Sequence, residues 1–335
     1  MLRGLGVFRL ACDSRWRRER LLILCHHGVS QEDEHLWRPA LYIEPKRLGQ
    51  RLEILKQGEY NVLPLEPALQ RLYAGELPPR SVVLTFDDGT YDFYAQAYPR
   101  LKHYGFPVTV YQTTYYSDRQ MPVFNLICSY MLWKRRGTVL DKGNELGLKP
   151  PMDLGSEASR RAIVRSLLEI SERENLSGLQ KNEVAGRLAS LLDLDYGSFQ
   201  SKRILHLMSP EEIAELAKNG VDFQLHTHRH RTPTDEALFR KEIQDNRQRL
   251  REITGKLPTH FCYPSGIYDA RFFPWLAEEK ITSATTCDPG LATARTNPLR
   301  LPRFVDTTGR TEVEFESWLT GVGEFAARTR ASVGG

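Results

Sequence analysis

Apolar positions along this chain fall into short unbroken runs separated by stretches with helical spacing. Residues 21–25 are continuously apolar, the pattern of a strand buried on both faces. Over 45–57, Leu48, Leu52 and Leu55 recur at helical intervals and Gly58 supplies a stop. The alternation continues with a short strand at 61–63, a helix at 67–73, the clearest strand at 81–86, a helix at 93–104 and a strand at 108–111. Strand–helix alternation of this kind predicts parallel strands with crossover helices, in an open sheet or a barrel.

The rhythm breaks near residue 118. From there to 207 the chain is polar and helical, with its best helices at 157–174 and 179–192, no strand alternation and no repeat. This stretch reads as an insertion, a lid or an association surface. Ser209-Pro210-Glu211-Glu212 then reopens the pattern as a capping box, with Ser at the N-cap and Pro in the first turn. Strands follow at 221–225, 259–263, 282–286 and 299–304, with helices at 238–254 and 270–279 between them. The predicted organisation is a first α/β part over 20–117, a helical insertion over 118–207, a second α/β part over 208–321 and a disordered tail over 322–335.

Composition narrows the class. The 335 residues are 41% hydrophobic and 26% charged, with a net charge of +4. That is ample apolar material for a core, which excludes disorder as the main state. The charge is too small to imply a nucleic-acid partner. No window approaches the ~20 apolar residues of a membrane span, which leaves only peripheral membrane association open. Five dispersed cysteines without a CxxC pair predict neither a disulfide framework nor a cysteine zinc site. Arg3 and Arg9 interrupt the first residues, no secretion signal is recognisable, and the expected location is the cytoplasm.

Two clusters carry candidate chemistry, each directly after a predicted strand. Thr85-Phe86-Asp87-Asp88-Gly89 places two carboxylates side by side, an arrangement that repels itself unless a cation or two different partners separate the charges. A solvated Asp-Gly turn is the plainer alternative. His226-Thr227-His228-Arg229-His230 spaces His226 and His230 four apart, so one helical turn would set both imidazoles on one side. Two histidines and a carboxylate make a frequent catalytic zinc set, whereas a histidine-rich surface loop is the plainer alternative. Cys25-His26-His27-Gly28 offers a histidine as general acid, and Phe261–Gly266 a tight turn whose amides could face an oxyanion.

Together these residues resemble the polysaccharide deacetylases, the NodB-homology group. Thr85–Gly89 matches its Asp-Asp motif, His226–His230 its His-x-x-x-His motif, and Tyr263-Pro264-Ser265-Gly266 a Tyr-Pro-x-Gly form of its third motif. Leu301-Pro302-Arg303 is similar to a segment of the same branch, as is the early His26-His27-Gly28 strand end, which points to the circularly permuted branch that includes poly-N-acetylglucosamine deacetylases. The resemblance implies a deformed (β/α)7 barrel interrupted by the helical insertion. It implies a divalent metal, zinc above nickel or cobalt, held by Asp88, His226 and His230, with Asp87 as general base and His27 as general acid. The Tyr263 backbone N–H and Arg303 are implied to assist the oxyanion or substrate, and Arg303 is a candidate for orienting Asp87.

The expected function is hydrolysis of an N-acetyl group from an amino-sugar glycan or its precursor. The alternatives are a deformylase or other amidohydrolase on a sugar nucleotide or lipid-linked sugar, a glycan-binding protein with an idle site, and a scaffold dominated by the insertion.

Overall fold

The computed structural model describes residues 7–325, which form two compact units, one of residues up to 115 together with those from 210 on, the other Tyr116–Ser209. The first is built on seven parallel strands: β1 Leu22–His26, β2 Ser81–Phe86, β3 Thr109–Gln112, β4 Asp222–Leu225, β5 His260–Cys262, β6 Ser283–Thr285 and β7 Phe304–Val305. They pair in the order β6–β5–β4–β3–β2–β1–β7, and a short strand Asn61–Val62 adds to the start of β2. Each residue of β1 and β2 is buried, as expected when helices cover one side of the strands and packed side chains the other.

The ring closes between β6 and the residues before β7. Leu301 bridges Thr285 in parallel, its N–H donating to Ala284 O at 2.8 Å and its carbonyl accepting from Thr286 N at 2.9 Å. Pro302 has no N–H to continue that ladder, so the expected strand at 299–304 splits into a 3₁₀ turn, one bridging residue and the two-residue β7. The result is a deformed (β/α)7 barrel. Leu21, Ile23, Val83, Tyr111, Cys262 and Leu301 pack with Leu65, Leu69 and Leu72 of the helix Leu65–Ala74, at ~1.5–3 kcal/mol for each large aliphatic side chain buried.

Three local expectations change. Residues Phe93–Ala97 are π-helical before the α-helix Tyr98–Tyr104, where Pro99 cannot donate the N–H that a regular α-helix would use. Residues 322–325 continue as a helical turn, with the Phe325 ring 4.8 Å from Trp16, while 326–335 of the expected tail lie outside the described residues. The unit Tyr116–Ser209 contains, besides its helices, an antiparallel pair Val139–Leu140 and Met152–Asp153, too short to show alternation in sequence. Its helices Phe124–Lys134, Glu157–Arg173 and Gly178–Leu191 bury Ile127, Met131, Leu167 and Leu188, and Ser177 and Gln180 cap the third reciprocally.

Candidate active site

The barrel gathers the candidate residues at the carboxyl ends of its strands, where α/β barrels carry their sites. β2 ends at Phe86, and the next two residues diverge. Asp87 turns into the barrel and is buried, whereas Asp88 adopts φ +71° and faces the mouth. Gly89, at φ +73°, lies so close to the Gln112 side chain that a Cβ there would overlap it.

Asp88 Oδ1 lies 3.2 Å from His226 Nε2 and 3.2 Å from His230 Nε2. All three ligand atoms fall within 4.8 Å of one another. Asp88 Oδ1 is buried and has no hydrogen-bond partner, so these contacts are not aligned proton bridges. His226 Nδ1 is 2.9 Å from the Cys262 carbonyl, which requires the proton on Nδ1 and leaves the Nε2 lone pair facing Asp88. Three lone-pair donors converging on one point fit a cation. Burial works against charge on His226, but the Asp88 contact and the negative charge of Asp87 and Asp88 raise its pKa above the ordinary value, a field that favours a cation equally.

The expected helical turn through 226–230 does not form. The segment is a bent loop with positive φ at Thr227 (+60°) and His230 (+56°), and the Thr227 hydroxyl accepts from Arg231 N at 3.0 Å. Positive φ at non-glycine residues is strained and persists where the surroundings hold it. Here the helix Glu236–Thr254 holds it. Its buried face runs Phe239, Glu242, Ile243, Asn246, Leu250. Asn246 Oδ1 accepts from His226 N at 3.0 Å and its amide donates to Gln112 O and Thr114 Oγ1, each at 3.0 Å. Glu242 accepts from Arg229 N at 2.7 Å and from its guanidinium at 3.0 Å, while the Glu242 carbonyl takes His228 N.

Asp87 has a different environment. Arg303, fully buried, grips both carboxylate oxygens at 2.7 Å and is itself fixed by Thr286 O at 2.8 Å. Burial alone would raise the Asp87 pKa, but the Arg303 charge and hydrogen bonds outweigh it and hold the carboxyl well below its usual range. Thiols of Cys25 and Cys262 also point at Asp87 Oδ2, at 3.5 and 3.4 Å. His27 Nε2 sits 3.6 Å from the same oxygen and its side chain keeps 14% exposure. Its neighbour His26 is buried, and burial with the nearby Arg51 charge lowers its pKa to about 3, so it stays neutral at working pH.

Two expectations are corrected. The Tyr263 amide donates to Thr285 O at 3.1 Å, extending the β5–β6 ladder by one residue, and its hydroxyl donates to Leu299 O at 2.9 Å. Its backbone N–H is therefore not available to an oxyanion. Arg303 does not face a substrate either, because its guanidinium is buried against Asp87; it is the residue that orients that carboxylate.

Sequence reasoning missed Glu242, Asn246, Cys25, Cys262 and Asp92. Asp92 is buried, accepts from Val29 N at 3.2 Å and Thr90 Oγ1 at 2.8 Å, and is pushed by burial up to about 8. A signal for two of them existed, since Glu242 and Asn246 interrupt an otherwise apolar helical stripe.

A polysaccharide deacetylase family model matches residues 74–150 and 180–283, more than half of the chain. Asp87, Asp88, His226, His230 and Tyr263 fall inside those spans, and His27 and Arg303 outside them. Among solved structures the fold resembles the Streptococcus pyogenes deacetylase PplD in complex with acetate (20% identity, TM-score 0.59, 90% of this chain and 97% of that one). It also resembles IcaB from Ammonifex degensii (17%, 0.55, 91% and 97%) and a de-N-acetylase from Aggregatibacter actinomycetemcomitans (14%, 0.54, 89% and 99%). A comparison with curated protein sequences finds no match. The fold and the site define a hydrolase of the deacetylase class. The chain belongs to the polysaccharide deacetylase family, whose substrates are glycans.

Proposed function

We propose that this chain is a metal-dependent N-deacetylase acting on an amino-sugar glycan, releasing acetate and leaving a free amine. The observation that carries the reading is the unpartnered Asp88 Oδ1 facing the Nε2 atoms of His226 and His230, beside an ionised Asp87. Two imidazoles and one carboxylate suit zinc first, and nickel or cobalt through the same nitrogen-rich set. A divalent ion held there would polarise the amide carbonyl and acidify a water molecule.

The chain's own groups then divide the proton work. Asp87, kept charged and aimed by Arg303, takes a proton from the attacking water. Because Arg303 also weakens its basicity, that proton is held only briefly. His27 passes a proton to the departing nitrogen and is recharged by Asp87, a role supported by the 3.6 Å between its Nε2 and Asp87 Oδ2. An amide needs this second transfer, since an unprotonated amine anion is a very poor leaving group.

The test is metal analysis of purified protein together with acetate and amine release from a panel of N-acetylated sugars and oligosaccharides. Expected are about one divalent ion per chain, equimolar acetate and amine, loss with a chelator and recovery with zinc. Formate in place of acetate moves the reading to a deformylase. Undiminished turnover after metal removal, or no acyl release from the fully loaded protein, overturns it.

A further inference from the structure

Beside the Asp88 cradle lies a second convergence of donors, on β1 and the turn after β2. Cys25, His27 and Asp87 each offer a ligand atom within 4.8 Å of the other two. Cys25 Sγ is 3.5 Å from Asp87 Oδ2 and 3.9 Å from His27 Nδ1, and His27 Nε2 is 3.6 Å from Asp87 Oδ2. Around a zinc-sized ion, with bonds of about 2.3 Å to sulfur and 2.0–2.2 Å to nitrogen or oxygen, donors across a tetrahedral angle sit roughly 3.3–3.6 Å apart. The Cys25–Asp87 pair already spans such an ion; the two His27 distances belong to different ring nitrogens, so the imidazole must turn about its side-chain bonds to bring a single nitrogen to both partners.

We propose that Cys25, His27 and Asp87 form a second, inhibitory site for a thiophilic divalent cation, zinc in excess or cadmium. On binding, the Cys25 thiol releases its proton to solvent as the sulfur–metal bond forms, while Asp87 contributes an oxygen lone pair and His27 a ring nitrogen. The soft sulfur donor selects against magnesium and manganese. The consequence for catalysis rests on the roles proposed above: the ion occupies the lone pair with which Asp87 would accept a proton and the nitrogen with which His27 would donate one. Turnover then stops with the first ion still in place.

The order of filling follows from charge. The Arg303 guanidinium, 2.7 Å from Asp87, repels a cation, and a buried thiol must lose its proton. Neither obstacle exists at Asp88, so the Asp88 cradle fills first and the second site only in excess. Cys262, whose sulfur lies 3.1 Å from the same guanidinium, is on the repelling side and is left out of the set.

The experiment titrates zinc-loaded protein with cadmium, following thiolate-to-metal charge-transfer absorption and bound metal per chain. The Asp88 cradle holds no sulfur, so a band marks a site that includes a thiol, and the cysteine variants decide which one. Expected is a second equivalent that brings the band, with both band and equivalent lost in Cys25→Ser and weakened at least about tenfold in His27→Ala. Cys287→Ser, removing the partly exposed thiol, should leave the band unchanged. Thermal unfolding of each variant establishes that it is folded, and His27→Ala keeps the question answerable if Cys25→Ser is not. A single equivalent without a band, or a band that survives Cys25→Ser, overturns the proposal. These readouts need no turnover, so a protein that binds the second ion but releases no acetate refutes the deacetylase reading and not this site.

Discussion

Asp87 and Asp88 are neighbours in one turn, yet they occupy opposite environments. Asp87 is sealed beneath the barrel mouth, gripped by a buried guanidinium with two thiols at its edge. Asp88 faces two imidazoles across an unbridged gap, with the loop that brings them strained at two non-glycine residues. Both carboxyls are held below their usual pKa, and in both burial opposes the shift. For Asp87 the Arg303 charge and hydrogen bonds overcome it, and for Asp88 the two histidines do. The difference teaches that one charge is already neutralised by a buried guanidinium, while the other faces two imidazoles and, on the function proposed above, is left for an ion. On that reading a paired aspartate provides two functions from one turn, because the pocket behind it and the loop across from it differ.

The largest effect should come from the cation side. Asp88→Ala or His230→Ala is expected to take bound metal from about one ion per chain to near none and acetate release to background, as measured by elemental analysis and a coupled acetate assay. If either variant keeps full metal, the two carboxylates do not differ in the way described. On the sealed side, Asp87→Asn should keep the ion and lower kcat about 10²–10⁴-fold. Parallel loss of metal would merge the two environments into one.

His27→Ala sharpens the same contrast by substrate. It should slow N-acetyl substrates by about 10²-fold or more while largely sparing an acetate ester with a good leaving group, which needs no proton on departure. Equal losses on both remove His27 from the acid role. A smaller change is expected behind the loop: Asn246→Ala should weaken zinc about 10- to 100-fold in chelator competition, with kcat recovering at saturating zinc. An unchanged affinity would mean that the loop holds its shape without the helix.

A last effect, outside turnover, concerns pH and stability. Asp92 keeps its proton in the folded state up to about pH 8, whereas the unfolded chain loses it near ~4. The folded state binds more protons across that window, so this group makes stability fall as pH rises, by up to about 1.4 kcal/mol per unit. Asp87 and Asp88 have the opposite sign, contributing stability above the unfolded pKa that is lost as pH falls through their depressed values. The readout is thus the difference in denaturant midpoint between wild type and Asp92→Asn, which should widen from pH 5 to pH 8. A difference that stays flat would show that Asp92 is ionised.

Much of this was legible in the chain because the informative residues are contiguous. Asp87 with Asp88, and His226 with His230, follow strands whose apolar runs locate them, and the barrel itself follows from the alternation. What escaped was set by closure of the ring. Arg303 meets Asp87 across 216 positions and Cys262 meets it across 175, contacts no local pattern encodes. Tyr263 was misjudged for a local reason: it is the last residue of the expected strand at 259–263, and its amide is spent on the sheet, donating to Thr285 O, and not turned towards the mouth. The histidine loop was misjudged because four-residue spacing suits a helical turn, whereas two left-handed residues bring the rings together without one.

The seam at Leu301 has one more implication. The three residues proposed to grip a cation all precede residue 300, but the guanidinium that holds Asp87 arrives only afterwards, just ahead of the final short strand. On the function proposed above, a polypeptide ending ahead of the seam would carry the proposed ion ligands without the residue that aims Asp87, and turnover would then report that the last segment has docked.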